Sequence, residues 1–196
     1  MRYTGAKWRI NRREQATVLG SSEKWKRRMS MPGQFPVLAK RPSDYAIQFR
    51  EKQKVKRMYG MTEAQFLRFY NLALKSGGNT STRLLQLLEL RVDNVIYRLG
   101  FAATRAMARQ LVTHGHITLN GKKHNIPSTI LKPGDEIVLK DSIMTKVNEI
   151  LAQNKNYNPP AWVERLDKGG KVVAEPTRDE MDSSIKERLI IELYSR

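Results

Sequence analysis

The chain has 196 residues, of which 36 are Lys or Arg and 19 are Asp or Glu, so its net charge is +17 at pH 7. No apolar run approaches the roughly 18–20 residues that cross a bilayer, and no secretory signal is predicted at the start. Because the chain has no cysteine, disulfides, a thiol nucleophile and cysteine-ligated zinc or iron–sulfur sites are excluded.

The large positive charge indicates a polyanionic partner. Nucleic acid is favoured over an acidic membrane surface, because no basic amphipathic helix flanked by Trp or Phe is present. The absence of cysteine also fits a reducing, intracellular environment.

The positive charge is concentrated at the start of the chain. Residues 1–58 contain 16 basic and 4 acidic residues, residues 59–140 contain 11 and 5, and residues 141–196 contain 9 and 10. The first 41 residues show neither a helical nor a strand period, and their basic clusters alternate with Trp and Phe residues. They are predicted to form either a disordered basic tail or an extension that becomes ordered on nucleic acid.

The region after the arm is predicted to be helical. Ser43 is expected to cap a helix that runs to about Met58. Thr62 and Gln65 have the spacing of a capping box at the start of a second helix. A third helix is expected from about Thr82, and its leucines are interpreted as core residues rather than as part of a cofactor site.

Two further helices and a hairpin are predicted between residues 91 and 139. Apolar residues recur at helical spacing from Val92 to Leu99, and Thr104 is placed to cap the next helix. Asn120 followed by glycine is the strongest short signal for a hairpin turn. A helix at about 142–153, a strand at 171–173 and a buried apolar C-terminal segment are predicted to follow.

Arg105 and Arg109 lie four residues apart on one of these helices, so they share a face that differs from the apolar face of Met107 and Leu111. Two arginines at this spacing repel each other, which an anion between them would relieve. The planar guanidinium group binds phosphate through two hydrogen bonds. The helix is therefore predicted either to present a solvated basic face or to bind phosphate together with the basic hairpin.

No catalytic or metal-binding motif is predicted. His114, His116 and His124 have no carboxylate close by in the sequence before Asp135. The sequence has no P-loop, no dinucleotide-binding fingerprint and no nucleophile elbow. We therefore expect no cofactor and no metal.

One long segment resembles the RNA-binding domain named after ribosomal protein S-four. The resemblance rests on Arg-Val-Asp-Asn-Val-Ile-Tyr-Arg-Leu-Gly-Phe at 91–101 and on Ala-Met-Ala-Arg-Gln-Leu-Val-Thr-His-Gly-His-Ile-Thr-Leu-Asn-Gly at 106–121. The flanking residues 44–66, 1–5 and 192–196 look like ribosomal protein S-four itself. Some members carry zinc-binding cysteines in the arm, so the resemblance implies a zinc-free form of the bacterial or organellar type.

The resemblance implies an α+β, mainly helical fold. In this fold a helical domain contains an inserted S-four-type RNA-binding domain, built from two helices and a small antiparallel or mixed sheet. The implied parts are a basic N-terminal arm at 1–42, a helical domain at 43–90 that is completed by about 175–196, and the inserted domain with its extension at 91–174.

The resemblance also implies a structural constituent of the small ribosomal subunit that is not an enzyme. Members of this family are primary binders of small-subunit rRNA, nucleate assembly of its 5′ domain, lie near the channel through which mRNA enters and contact protein S-five. The implied location is the bacterial cytoplasm or an organelle, without a membrane partner and without homo-oligomerisation. The RNA-contact candidates are Arg2, Tyr3, Lys7, Arg9, Arg12, Arg13, Arg50, Gln53, Lys54, Arg57, Arg98, Arg105, Arg109, His116, Asn120, Lys122 and Lys123.

Two other functions stay open at this stage. The triplet Arg165-Leu166-Asp167 is similar to the catalytic triplet of pseudouridine synthases, which also carry this RNA-binding domain. Only the 29 residues from 168 to 196 follow it, too few for their catalytic domain, so we interpret the triplet as a polar loop beside Trp162. The third class is a free RNA chaperone that binds stalled ribosomal particles.

Overall fold

The structure is a computed structural model that describes residues 3–20, 30–33, 42–154 and 157–195. It divides into two compact units, Met1–Leu84 with Ser183–Arg196 (unit 1) and Leu85–Asp182 (unit 2). The three-part division at residues 42 and 90 stays a prediction, because compactness alone does not show which parts fold independently. None of the helices in the described ranges is long and apolar enough to cross a membrane.

Helices dominate both units and are numbered here in chain order. The α-helices are α1 (Lys7–Glu14), α2 (Asp44–Met58), α3 (Glu63–Lys75), α4 (Thr80–Glu89), α5 (Val92–Arg98), α6 (Arg105–Thr113), α7 (Asp141–Gln153) and α8 (Glu187–Tyr194). The strands are β1 (Ile117–Leu119), β2 (Lys122–His124), β3 (Glu136–Leu139), β4 (Val163–Leu166) and β5 (Gly169–Val172), and a 3₁₀ helix covers Arg178–Glu180. The predicted α+β, mainly helical class is confirmed.

Side-chain caps set the starts of several helices, as predicted. The Ser43 hydroxyl accepts a hydrogen bond from the N–H of the third residue of α2 (3.3 Å). Thr62 and Gln65 form the reciprocal capping box at α3, with both bonds 3.4 Å long. Thr104 accepts from the N–H of Met107 in α6 (3.3 Å). Each cap satisfies a backbone donor that the first turn of a helix leaves unbonded.

The N-terminal arm contains a helix that the sequence pattern did not predict. In α1 the polar Asn11 and Arg12 are the buried residues, so the helix has no apolar stripe. The Asn11 side chain donates to the carbonyl of Gly20 (2.7 Å) and accepts from the N–H groups of Val18 and Leu19 (3.1 and 3.0 Å). Hydrogen bonds to the following loop therefore replace the hydrophobic face on which the prediction depended.

Unit 1 is closed by the C-terminal helix α8, which packs against α2. The predicted burial of the C-terminal segment is confirmed in part, because Ile190 is fully buried whereas Leu189, Ile191, Leu193 and Tyr194 are half-buried. The ring of Tyr194 stacks on Tyr70 at 4.5 Å and on Phe66 at 6.3 Å between centroids. Its hydroxyl donates to a carboxylate oxygen of Glu63 on α3 (3.0 Å).

Unit 2 packs α5 and α6 with a five-stranded antiparallel sheet whose strand order is β2-β1-β3-β5-β4. The core contains Val95, Ile96, Leu99, Leu111, Val112, Ile117, Ile137, Leu139, Trp162 and Val172. Asn120 and Gly121 both have positive φ (49° and 77°), as the predicted two-residue hairpin turn requires. The expectation of a polar loop at 165–167 is wrong for its first part, because Arg165 and Leu166 belong to strand β4.

Candidate nucleic-acid interface

The exposed predicted RNA contacts of unit 1 lie on and beside α1. Lys7, Arg9 and Arg13 are exposed on this helix, and Tyr3 is 46% exposed just before it. Arg9 and Arg13 are four residues apart and so share one face. Arg2 lies outside the described residues.

A buried carboxylate connects α1 to the two predicted contact arginines of α2. The Glu14 side chain is 0% exposed, and its Oε1 pairs with Arg57 and with Arg50 (3.4 Å for Arg50). Burial raises the pKa of the Glu14 carboxyl above its ordinary value, and the charges of Arg57, Arg50 and Arg13 oppose that rise. The side chains of Arg50 and Arg57 stay about one-third exposed, at 37% and 33%. Glu14 thus orients two guanidinium groups that remain accessible from solvent.

Three predicted contacts of unit 1 are instead buried. Arg12 is 4% exposed and donates to the carbonyls of Ser30 (2.6 Å) and Met31 (3.0 Å). Gln53 is 8% exposed, and Lys54, 9% exposed, donates to the backbone carbonyl of Ser184 and to Glu51 (3.2 Å for Glu51). Arg12 and Lys54 join segments of unit 1, so the geometry gives these two side chains a positioning role, and the burial of Gln53 likewise does not favour direct RNA contact.

In unit 2 the predicted contact arginines belong to a buried polar network. Glu89, fully buried at the end of α4, receives two hydrogen bonds from Arg98 (2.8 and 2.6 Å). The same carboxylate accepts from the side-chain amide of Asn94 (2.6 Å), whose oxygen accepts from the Nε of Arg105 (2.7 Å). Glu89 and Asn94 therefore fix the positions of two arginines on two helices.

A second carboxylate performs the same role for Arg109. Asp93 receives two hydrogen bonds from the buried Arg91 (3.0 and 2.6 Å), and its Oδ2 lies 3.6 Å from the Nη1 of Arg109. The guanidinium of Arg105 also lies over the ring of Tyr97, at 4.6 Å from its centroid. The network contains four arginines and two carboxylates, so it carries excess positive charge around the start of α6.

The hairpin extends this basic surface past the end of α6. Lys122 and Lys123 are exposed on β2. A Cβ placed on Gly115 would lie only 3.0 Å from the Cε of Lys123, so the lysine stem passes over the turn that ends α6. The rings of His114 and His116 lie 6.1 Å apart next to that turn. Basic and imidazole groups thus come together where α6 meets β1.

Asn120, another predicted contact, stabilises the hairpin tip. Its amide donates to Asp135 (2.8 Å) and accepts from the N–H of Glu136 (2.9 Å). Asp135 in turn accepts from the N–H of Lys132 (2.8 Å). These bonds attach the tip to the start of β3.

The remaining functional candidates have structural roles. His124 bonds through Nε2 to the carbonyl of Ile126 (3.0 Å) and the hydroxyl of Thr129 (2.8 Å). Within the described ranges, no group of three or more His, Asp or Glu side chains is arranged to bind a metal ion. Arg165 donates to the carbonyl of Leu99 (2.9 Å), one of the carbonyls that the end of α5 leaves unbonded.

The residues that sequence reasoning missed are mainly the acidic partners Glu14, Glu89 and Asp93. One signal was present, for Glu14 alone: it directly follows Arg12 and Arg13 in a segment, residues 1–58, that contains only four acidic residues. The sequence around Glu89 and Asp93 carries no comparable signal.

The comparisons with known proteins agree with this architecture. Residues 2–89 match the family described as "Ribosomal protein S4/S9 N-terminal domain", and residues 90–137 match the "S4 domain". The chain is 45% identical over 204 residues to the small ribosomal subunit protein uS4 of Dictyoglomus turgidum, covering 100% of this chain and 99% of that protein. It is 44% identical to the proteins of the same name from Pelotomaculum thermopropionicum and Opitutus terrae, again over 100% of this chain and over 99% and 98% of theirs.

The chain belongs to the uS4 family of small ribosomal subunit proteins. The resemblance inferred from the sequence is thereby confirmed. Proteins of the uS4 family are structural components of the ribosome, so this chain is not an enzyme, and the pseudouridine synthase alternative is excluded.

Proposed function

We propose that the chain is a primary binder of small-subunit rRNA that nucleates assembly of the 5′ domain. The observation that carries this proposal is the arginine network of α5 and α6, continued by the lysines of the β1–β2 hairpin. Together the network and the hairpin hold more guanidinium and ammonium groups than carboxylates, and the arginines have fixed orientations. Arginine forks of this kind bind phosphate through paired hydrogen bonds.

Arg105 and Arg109 are the principal phosphate ligands in this proposal. The side-chain oxygen of Asn94 accepts a hydrogen bond from the Nε–H of Arg105, and the carboxylate of Asp93 lies 3.6 Å from the Nη1 of Arg109. Both arginine side chains are therefore held in place before RNA binds. Orientation before binding lowers the entropy that two long side chains lose on the RNA. Lys122, Lys123 and His116 extend the contact along the hairpin. Arg98 stabilises the network through Glu89, and Asn120 stabilises the hairpin tip.

Unit 1 supplies a second rRNA contact in this proposal. Its ligands are the exposed Lys7, Arg9 and Arg13 of α1, with Arg50 and Arg57 of α2. Tyr3 stacks or hydrogen-bonds at the same surface, the buried Arg12 and Lys54 position the segments that carry it, and Gln53 is retained as a contact candidate from the sequence alone. Arg2 is retained as a contact candidate from the sequence alone.

The remaining parts of the proposal rest on the family resemblance. They are a location near the channel through which mRNA enters, a contact with protein S-five, and a place in the cytoplasmic ribosome of a bacterium or in an organellar ribosome. In the proposal the chain acts as one copy per subunit and does not form homo-oligomers.

The salt dependence of rRNA binding tests the phosphate contacts. Arg105→Ala together with Arg109→Ala is expected to weaken binding of a 5′-domain rRNA fragment. The slope of log affinity against log salt should fall by roughly 0.7–0.9 for each phosphate that the variant no longer neutralises. Filter binding or anisotropy at several salt concentrations measures both quantities.

A charge-matched control separates these contacts from the general effect of net charge. Lys75→Ala with Lys146→Ala removes two exposed positive charges from other surfaces and should leave the slope within error of the parent chain. An unchanged slope in the double arginine variant would show that these arginines do not touch RNA.

A further inference from the structure

Tyr157 is an exposed aromatic residue beside the arginine network of unit 2. It precedes strand β4 and lies outside residues 90–137, which match the S4 domain. Its hydroxyl donates to the carbonyl of Arg98 at the end of α5 (3.0 Å), yet the residue as a whole is 38% exposed. Tyr157 is not among the predicted RNA contacts, so the role of its ring is open.

Gly100 determines where this ring lies. It has a positive φ (83°) in the turn that follows α5, and a Cβ there would lie 3.1 Å from the Cδ1 and 3.3 Å from the Cε1 of Tyr157. The ring therefore packs against the glycine backbone, in the space that a side chain would need. One side of the ring is held by Gly100 and the hydroxyl is held by Arg98, so the orientation of the ring is fixed while part of it stays exposed to solvent.

The charges beside the ring are those of the network that we propose to bind phosphate. Burial raises the pKa of the Tyr157 hydroxyl, and the positive charges of Arg98 and Arg105 oppose that rise, so both guanidinium groups lie close enough to act on the phenol. Basic groups that bind the backbone, together with aromatic rings that stack on bases, are the usual composition of surfaces for single-stranded nucleic acid. The excess positive charge of the network therefore favours RNA as the occupant of this surface.

We propose that Tyr157 is a stacking platform for an unpaired rRNA base, next to a phosphate that Arg105 binds. Arg105 holds the backbone, and the ring of Tyr157 holds the base of the same or an adjacent nucleotide. The ligand is a base in a loop, a bulge or an end, because a base stacked within a continuous helix offers no free face to a side chain. This inference deepens the proposed function and rests on it, since it requires the network to bind rRNA.

Two substitutions at position 157 separate stacking from a structural role. Tyr157→Leu removes the aromatic ring and the hydroxyl, whereas Tyr157→Phe removes only the hydroxyl and its bond to Arg98. With a labelled 5′-domain rRNA fragment in an anisotropy titration, Tyr157→Leu should bind at least about fivefold more weakly than the parent chain. Tyr157→Phe should stay within about twofold of the parent, because it keeps the ring. Equal losses in the two variants, or no loss in either, would refute the platform.

The salt dependence of binding gives a second readout. Stacking neutralises no phosphate, so Tyr157→Leu should leave the slope of log affinity against log salt unchanged, in contrast to Arg105→Ala with Arg109→Ala. A lower slope would show that the ring only holds the arginines in place, which contradicts stacking. Leu166→Ala is the control, because Leu166 has the same exposed fraction (38%) on strand β4, and it should change neither affinity nor slope.

Crosslinking in assembled small subunits identifies the occupant. A benzophenone amino acid replaces Tyr157, and the chain is assembled with purified rRNA and purified small-subunit proteins and then irradiated. The expected product is a crosslink to an rRNA nucleotide whose base is unpaired by chemical probing of the particle. A crosslink to a protein or to a continuous helix, or none, would overturn the proposal.

The same preparations separate the two proposals. If the parent chain fails to bind rRNA, the proposed function is wrong. If the parent chain binds rRNA with the expected salt dependence and Tyr157→Leu binds equally well, only the stacking platform is wrong.

Discussion

Individual carboxylates decide how the basic side chains of this protein are presented. Glu14 orients Arg50 and Arg57, and Glu89 orients Arg98 directly and Arg105 through Asn94. A buried carboxylate is costly alone, but it is stabilised when several arginines donate to it. The arginines gain fixed directions, which a flexible basic tail lacks.

Glu63 makes unit 1 sensitive to acid. Burial raises its pKa, but hydrogen bonds from Lys52 (2.7 Å), Lys56 (3.0 Å) and Tyr194 (3.0 Å) prevail and lower the pKa from 4.5 to about 2. Because the folded pKa lies below the unfolded one, the carboxylate stabilises the fold above pH 4.5, and this contribution is lost as the pH falls toward 2.

Glu63→Gln is therefore expected to lower the free energy of unfolding by about 1 kcal/mol at pH 7, since its exposed ion pairs are screened by solvent. The difference from the parent chain should shrink as the pH approaches 2. Urea unfolding at pH 7 and pH 2.5 measures it, with Glu149→Gln on an exposed part of α7 as the control. A difference that is equal at both pH values would contradict the assigned role of Glu63.

At the scale of elements, the sequence predicted those features that depend on contacts between residues close together in the chain. The caps at Ser43, Thr62 and Thr104 and the turn at Asn120 each depend on a few adjacent residues, and all four were predicted. Helix α1 was missed because its stability depends on bonds to residues that follow it. Strand β4 was missed for a similar reason, because its extended conformation depends on antiparallel pairing with β5.

Asn11 gives a direct test of how α1 is attached. Asn11→Ala removes the acceptor for the N–H groups of Val18 and Leu19. Their amide hydrogens should then exchange at least tenfold faster, since leaving a buried donor without its acceptor costs about 1–3 kcal/mol. Hydrogen exchange followed by NMR measures this. Arg13→Ala, an exposed change on the same helix, should leave both amides protected, and equal exchange in the two variants would refute the role of Asn11.

At the scale of the whole molecule, the fold class and family were predictable because a long motif and its flanks identify them. The network behind the candidate site was not, since Glu89 bonds to Arg98 and Asn94 through geometry that no spacing rule specifies. For the same reason Arg12 and Lys54 were grouped with exposed arginines, although they are buried. The sequence shows that a residue is basic, but it does not show whether the side chain binds RNA or pairs with groups of its own chain.

Removing α8 tests how far the two units are independent. A chain that stops before residue 187 exposes the rings of Phe66 and Tyr70, whereas the core of unit 2 stays intact. Amides in α2 and α3 should lose protection, and those of the unit 2 sheet should keep it. Removal of residues 195–196 alone is the control. Equal loss in both units would show that they unfold as one.

The position of α8 also orders events during synthesis. The whole of unit 2 is translated between α2 and its packing partner α8, so unit 2 can fold on the nascent chain while unit 1 waits. The arginines of α2 emerge early, yet the helix that carries them lacks its partner until residues 187–194 have been made. A chain released too early would carry a folded unit 2 beside a unit 1 that lacks α8. If both proposed rRNA contacts are needed for binding, such an unfinished chain would bind rRNA more weakly than the full chain.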